Sequence, residues 1–423
     1  MTGDLDQLIE LMAAARDFAE CTGLFMDWVQ DTTGCEAAML RLREEDSGEG
    51  FWIPALVQRG FDRAFLRDEI LVGGGECLCG KVCSGCANQA LPLFNEHGSF
   101  SCDHAETLLS GDALSTVKEI RGRCMMEGYR SLVIVPLTSG ETPLGCLHLA
   151  DRRPGVFAAQ LPLIEEACRR AGPLLQRYPP SEREPLLIEA LETVLTPPDL
   201  PQLPGVELGV SFTSATDAAR LGGDFYDVIP LPEGDVVLVV GDFSGKGIGA
   251  AGMAARARHE IARRVDAVTP LDRVLLQADR ALQSVLGRSR FVTAAACRVR
   301  PEGQCEIALA GHPRPFVLAP GGESREVYAP PNAPLGLALR PVYETGMLEV
   351  DRDEILLLYT DGIIEARCGG RMFDVEGVRA FWTATGASEV QALTEGLCEA
   401  SMRFGDTAGS DDRLALALRR RVG

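Results

Sequence analysis

Apolar positions change their period along this chain. Leu5 to Val29 places them at helical spacing and predicts a helix, and strand-like runs follow at Ala37 to Leu42 and Phe51 to Val57. Ser131 to Leu137 and Leu144 to Leu149 flank a Ser-Gly turn and predict a β-hairpin, after which Phe157 to Leu175 returns to helical period. The alternation predicts an α/β domain over residues 1–176. Residues 177–204 are rich in Pro and Glu and predict a linker with one helix, Leu186 to Leu195, which the following prolines terminate. From Gly205 onward strand-like runs dominate: Val206 to Phe212, Val236 to Val240, Phe291 to Val299, Cys305 to Ala310, Ile355 to Tyr359 and Leu414 to Arg419. Helical patterns at Ile248 to Arg264, Leu271 to Leu286 and Val390 to Phe404 sit between strand clusters, so residues 205–423 predict an α+β domain. The expected fold is thus a two-domain α+β / α/β chain.

Bulk properties narrow the function classes. A chain of 423 residues exceeds one compact core, and 46% hydrophobic with 24% charged residues supports a core in each half. The net charge of −20 argues against nucleic acid and against anionic membrane surfaces as partners. No apolar stretch approaches the roughly 20 residues that span a bilayer. The acidic N-terminus lacks the features of a signal peptide, so the expected location is cytoplasmic and the 14 cysteines are expected as thiols.

Candidate chemistry concentrates at the ends of strands. Asp224 follows Gly222-Gly223, Asp242 follows a Val-rich run, Asp361 follows Ile355 to Thr360, and Asp411 with Asp412 precedes the last run. Converging carboxylates repel unless a cation stands between them, and oxygen-only ligation selects hard ions such as Mg²⁺ or Mn²⁺. The blander reading makes each a turn residue or helix cap. Gly241-Asp242-Phe243-Ser244-Gly245-Lys246 is one residue short of a phosphate-binding loop, and Gly247 replaces its Ser/Thr. Lys246 reads as solvent-exposed. His312 is either a proton donor or a turn residue packed beside Pro313, and it is not placed among the catalytic residues. A zinc hydrolase would need His or Cys ligands, and only His259 and His312 occur in this half.

Six ordered signatures carry a resemblance: Gly222 to Asp227, Gly241 to Gly247, Ala310 to Pro313, Pro334 to Gly336, Tyr359 to Ala366 and Ser410 to Asp412. Together they resemble the bacterial PPM-type serine/threonine phosphatases of the SpoIIE/RsbU group. The resemblance implies a two-sheet β-sandwich flanked by helices, and two Mn²⁺ or Mg²⁺ ions held by Asp224, Asp242, Asp361, Asp411 and the carbonyl of Phe243. It further implies a phosphoprotein substrate, a STAS-domain anti-sigma-factor antagonist, and thereby stress-response signalling. Two departures stand out: Arg413-Leu414 follows the Asp pair where the group has Ile-Thr, and Leu221 precedes the glycines. Neither removes an expected ligand.

Residues 1–176 resemble a GAF sensor domain through the strand ending Pro136-Leu137, the Gly turn, Leu144 to Leu147 and the final helix. Such a domain, an antiparallel sheet with helices, implies a small-molecule or redox signal. Cys77, Cys79, Cys83 and Cys86 crowd one short stretch, with Cys102 and His104 nearby. A helix over Gly80 to Ala90 would align Cys79, Cys83 and Cys86. They are a candidate zinc, iron–sulfur or redox cluster, with ordinary packing of small apolar residues as the plainer reading. Apolar helix faces in the N-terminal region and linker predict a homodimer. The rival function is a GAF sensor whose phosphatase-like half sequesters a partner without turnover.

Overall fold

The structure is a computed structural model that describes residues 5–46, 50–73, 77–85, 94–105, 122–195, 200–213, 222–245, 248–286, 290–337, 341–386, 389–405 and 411–421. Its chain divides into two compact units, residues 1–194 and 195–423.

The first unit contains, in order, α1 (Leu5–Ala14), α2 (Phe18–Thr33), β1 (Ala37–Leu42), β2 (Glu44–Asp46), β3 (Gly50–Arg59), α3 (Arg63–Glu69), β4 (Leu71–Gly73) and α4 (Cys77–Cys83). It continues with β5 (Phe100–Cys102), α5 (Arg123–Met126), β6 (Ser131–Ser139), β7 (Thr142–Asp151), α6 (Leu161–Gln176) and α7 (Pro180–Leu195). Seven strands form one sheet in the order β2-β3-β1-β7-β6-β5, with β4 joined to β3. Every described ladder in it is antiparallel, so the alternation of helix and strand in sequence builds α+β and not the parallel βαβ units of an α/β domain. The expected hairpin is β6–β7. The long first helix divides at Ala15–Asp17, because Asp17 leaves helical geometry and its carboxylate caps α2 by accepting from the Glu20 N–H at 2.8 Å. The linker helix begins at Pro180 and not at Leu186: proline is accommodated at a helix start, where its missing N–H costs nothing.

The second unit contains β8 (Val206–Thr213), β9 (Asp224–Pro230), β10 (Val236–Phe243), α8 (Ile248–Ala262), α9 (Leu271–Leu286), β11 (Val292–Val299), β12 (Gln304–Ala310), β13 (Phe316–Leu318) and β14 (Ser324–Glu326). It ends with β15 (Thr345–Glu349), β16 (Ile355–Tyr359), α10 (Asp361–Ile364), β17 (Arg367–Cys368), β18 (Arg371–Met372), α11 (Asp374–Thr385), α12 (Val390–Phe404) and β19 (Arg413–Arg420). Two five-stranded antiparallel sheets, β15-β12-β11-β10-β9 and β14-β13-β16-β19-β8, face each other.

The two-residue period sorts side chains between layers. Val236, Leu238 and Val240 meet Leu414, Leu416 and Leu418 in the core between the sheets. Val237 and Val239 point outward onto α8 and α9, and Ala415 and Ala417 point outward onto α11 and α12. Both faces are buried, which is why these strands read as unbroken apolar runs. Small alanines on the outer face of β19 let the helices approach, while leucines fill the sandwich. Leu416→Ala empties a fully buried position at the centre of this core and is expected to cost about 2–5 kcal/mol, read from the urea midpoint of the second unit's transition.

Candidate functional site

Antiparallel register places Asp242 directly opposite Asp224 on β10 and β9. Asp242 has the parity of Val236, Leu238 and Val240, and Asp224 that of Tyr226 and Val228, so both carboxylates face the space between the sheets. The strand β10 runs on through Asp242 to Phe243, past the Val240 limit expected from the apolar run. From the other sheet, Thr360 has the interior parity of Leu356 and Leu358. Its hydroxyl donates to Asp224 Oδ2 at 2.7 Å and accepts from the Leu414 N–H at 3.0 Å, joining the two sheets at their acidic end. Asp361 follows as the first residue of α10 and is thus a helix-start residue, not part of a β-turn. The next residue, Gly362, lies against the start of β19: a Cβ there would stand 1.9 Å from the carbonyl oxygen of Asp412. This close approach is the reason for glycine at that position, since its φ is unremarkable.

The carboxyl groups register one another electrically. Burial, then Asp242, lifts Asp224 well above the usual carboxylate range against the opposing Thr360 hydrogen bond. Asp242 is pushed up to about 7, first by burial and then by the charges of Asp361 and Asp411. Asp361 is also raised, by burial, Glu365 and Asp411. Asp224, Asp242 and Asp361 thus lie within electrostatic reach of one another, and Asp411 within reach of Asp242 and Asp361, with Asp411 exposed at the mouth and its companion Asp412 half-buried. Asp412 Oδ2 accepts from the Gly223 N–H at 3.0 Å and pins β9 to the start of β19.

A hard divalent cation fits this set in kind. A Cβ placed on Gly223 would lie 2.7 Å from both Asp242 Oδ1 and the Phe243 carbonyl oxygen, so the absent side chain leaves a small cradle faced by two oxygens. Carboxylates raised by burial and then by mutual repulsion are the groups a cation would discharge. The side chains are not closed on one point as they stand: among the described residues no three His, Cys, Asp or Glu are arranged to hold a metal ion.

His312 lies beside Thr293. Its Nδ1 is 2.9 Å from the hydroxyl of Thr293, the residue opposite Asp242 on β11, and its Nε2 is buried with no hydrogen-bond partner in good geometry among the described residues. Burial lowers its pKa to about 3, so the ring is neutral and is no proton donor near pH 7. Thr360 and Asp412 were not singled out by sequence reasoning; the only signals were the Thr before Asp361 and the doublet Asp411-Asp412. Lys246 lies outside the described residues.

In the first unit the expected helix over Gly80 to Ala90 is replaced by α4, which ends at Cys83 because Ser84 and Gly85 turn away. Cys86 lies outside the described residues. Cys79 and Cys83 meet Cys146 and His148 of β7. No described helix is long and apolar enough to cross a membrane.

The sequence model of the family Stage II sporulation protein E (SpoIIE) matches residues 232–421, a span that includes Asp242, Asp361 and Asp411 and begins after Asp224. Among solved structures, the RsbU and RsbW domains of a Mycobacterium tuberculosis protein are 26% identical with a TM-score of 0.45, covering 52% of this chain and 61% of that one. The Bacillus subtilis SpoIIE PP2C phosphatase domain with a fragment of its regulatory domain is 16% identical with a TM-score of 0.46, covering 51% and 64%. The SiaA-PP2C domain of Pseudomonas aeruginosa is 19% identical with a TM-score of 0.44, covering 51% and 86%. The chain thus spans less than two thirds of the first two. It is residues 232–421 that match the SpoIIE family.

Proposed function

We propose that this chain is a signal-regulated, divalent-cation-dependent serine/threonine phosphatase that acts on a phosphorylated signalling protein. The observation that carries the reading is Asp224 facing Asp242 between the sheets, within electrostatic reach of Asp361 from the opposite sheet, in a domain that matches the SpoIIE family. In this reading Asp224, Asp242, Asp361, Asp411 and the Phe243 carbonyl hold two Mn²⁺ or Mg²⁺ ions. Bound there, such ions supply an activated water and neutralise the phosphate charge.

The chain's own residues do the rest. Thr360 fixes the rotamer of Asp224, and Asp412 fixes the backbone of Gly223. Asp411 stands exposed at the mouth of the cluster. Neutral His312 holds Thr293 beside Asp242 and leaves protonation of the departing seryl or threonyl oxygen to solvent.

Residues 1–176 serve in this proposal as the GAF-type sensor, and the helix within 177–204 relays its state to residues 205–423. Homodimerisation through apolar helix faces completes it. The partner is a small phosphoprotein, a STAS-type anti-sigma-factor antagonist on the strength of the sequence signatures. A basic cavity of about 300 Å³, lined in part by Arg300, Arg352, Arg420 and Arg421, lies at the end of the sandwich opposite the aspartates and offers ground for an acidic partner.

The test is phosphate release from a phosphoserine-bearing STAS protein by the full chain. Turnover is expected with Mn²⁺ and none in chelator. Tight binding of the phosphoprotein without turnover at any Mn²⁺ concentration would establish the sequestering rival instead.

A further inference from the structure

The first unit buries a second group of ligand-type side chains. Cys79 and Cys83 stand four residues apart on α4 and so share a helix face. Cys146 and His148 stand two apart on β7 and so share a sheet face. The two faces meet. Cys79 Sγ is 3.7 Å from His148 Nδ1 and within hydrogen-bonding reach of Cys146, and Cys83 Sγ is 2.6 Å from Cys146 Sγ. All four residues are at most 4% exposed.

Three features of this group lack an ordinary packing explanation. Among the described residues His148 meets only sulfur at both ring nitrogens, with Cys124 Sγ 3.8 Å from Nε2, whereas buried imidazoles normally find oxygen or nitrogen partners. The Cys83–Cys146 contact is well inside the about 3.5–4.0 Å at which nonbonded heavy atoms rest. Beside them the guanidinium of Arg41, fully buried, donates only to the backbone carbonyls of Ile53, Glu69 and Ile70 and forms no ion pair among the described residues. A buried positive charge of this kind calls for a nearby negative one.

We propose that Cys79, Cys83, Cys146 and His148, which as they stand do not close on one point, rearrange into a tetrahedral site for one thiophilic divalent cation, zinc by its chemistry. Three S–H protons pass to solvent as three thiolates form, imidazole stays neutral, and the centre carries a net charge of −1 that Arg41 balances. Cys124 behind Nε2 fixes the ring so that Nδ1 faces the ion. Zinc–sulfur bonds of about 2.3 Å hold co-ligand sulfurs about 3.8 Å apart, so the 3.7 Å Cys79–His148 edge already fits and the Cys83–Cys146 pair opens by about 1 Å. A Cys83–Cys146 disulfide would leave Cys79, His148 and Arg41 unexplained. Burial also raises the Cys146 thiol, which makes it a poor nucleophile for exchange with peroxide or disulfide reagents.

The test is Co²⁺ titration of the full chain, reduced and stripped with chelator. Thiolate-to-cobalt charge transfer reports sulfur ligation and is silent for the oxygen-only aspartates of the second unit. One tetrahedral cobalt per chain is expected, displaced by Zn²⁺, with the band lost in Cys79→Ser/Cys146→Ser and kept in Cys168→Ser, a buried thiol elsewhere on α6. No sulfur-to-cobalt band in the wild-type chain overturns the proposal whatever the variants do. So does a Cys83–Cys146 crosslinked peptide in freshly isolated protein, and so does a band that survives the double substitution.

Discussion

Asp242→Asn is expected to lower Mn²⁺-dependent phosphate release by more than about 10²-fold, and also to stabilise the chelated protein at pH 8. The two effects have one origin. Without a cation, Asp242 has its pKa raised to about 7 against an ordinary 3.8, by burial first and then by Asp361 and Asp411. Between about pH 4 and 7 the folded chain therefore binds more protons at this group than the unfolded chain, and stability falls as pH rises through that window. Asp224 and Asp361 are shifted in the same direction and add to the slope. Above pH 7 the wild-type carboxylate is charged and repelled, whereas asparagine keeps the shape and drops the charge. The gain in the chelated protein is on the order of 1–3 kcal/mol at pH 8 and vanishes near pH 4. Urea unfolding of both proteins in chelator at pH 5 and pH 8 measures it. Wild-type turnover by Asp242→Asn, or a loss of stability equal at both pH values, would remove Asp242 from the centre of the acidic cluster.

The parts of this site that the sequence reveals are those with a local signal. Asp242 and Asp361 end apolar runs of strand length, and the runs mark where the sheets end, so the position of these acids at strand ends was legible from pattern alone. Asp224 was legible from its glycines, although the strand it opens was not: Phe225-Tyr226-Asp227 breaks the apolar run with an acid. The short strands β13 to β15 were missed for a related reason, being three to five residues long, with β14 wholly polar and β14 and β15 at sheet edges. Thr360 was invisible because its role is a bond across two sheets, to a residue 136 positions away. The cysteines of the first unit show the same limit. Crowding in sequence suggested Cys77 to Cys86 as one group, yet the fold turns Cys79 and Cys83 toward Cys146 and His148, more than sixty residues on. Spacing on one element reports which residues share a face and is silent about what that face meets.

Gly223→Ala is the other substitution with a large expected effect, because it leaves every carboxylate in place. The φ of Gly223 lies outside the left-handed region, so alanine can adopt the backbone there, and the obstacle is the methyl group alone. That methyl would stand 2.7 Å from Asp242 Oδ1 and from the Phe243 carbonyl oxygen, occupying the cradle where those oxygens converge. The Phe243 carbonyl cannot retreat freely: Phe243 N–H donates to the Gly223 carbonyl at 3.1 Å, and Gly223 N–H is held by Asp412. Divalent-cation affinity, followed calorimetrically, is expected to fall by about 10–100-fold, with turnover lost in proportion at fixed Mn²⁺. The pH dependence of stability in chelator should persist, since the repelling acids remain. Gly245→Ala, three residues beyond Asp242, is the matched control. Its methyl would meet the Phe243 ring at 3.0 and 3.4 Å and Ala250 Cβ at 3.6 Å, no site oxygen among them, and the position is exposed, so near-wild-type affinity and a stability change within about 0.5 kcal/mol are expected. Equal losses in the two variants would mean that general tightness of the glycine-rich segments, and not the oxygen-faced cradle, governs the site.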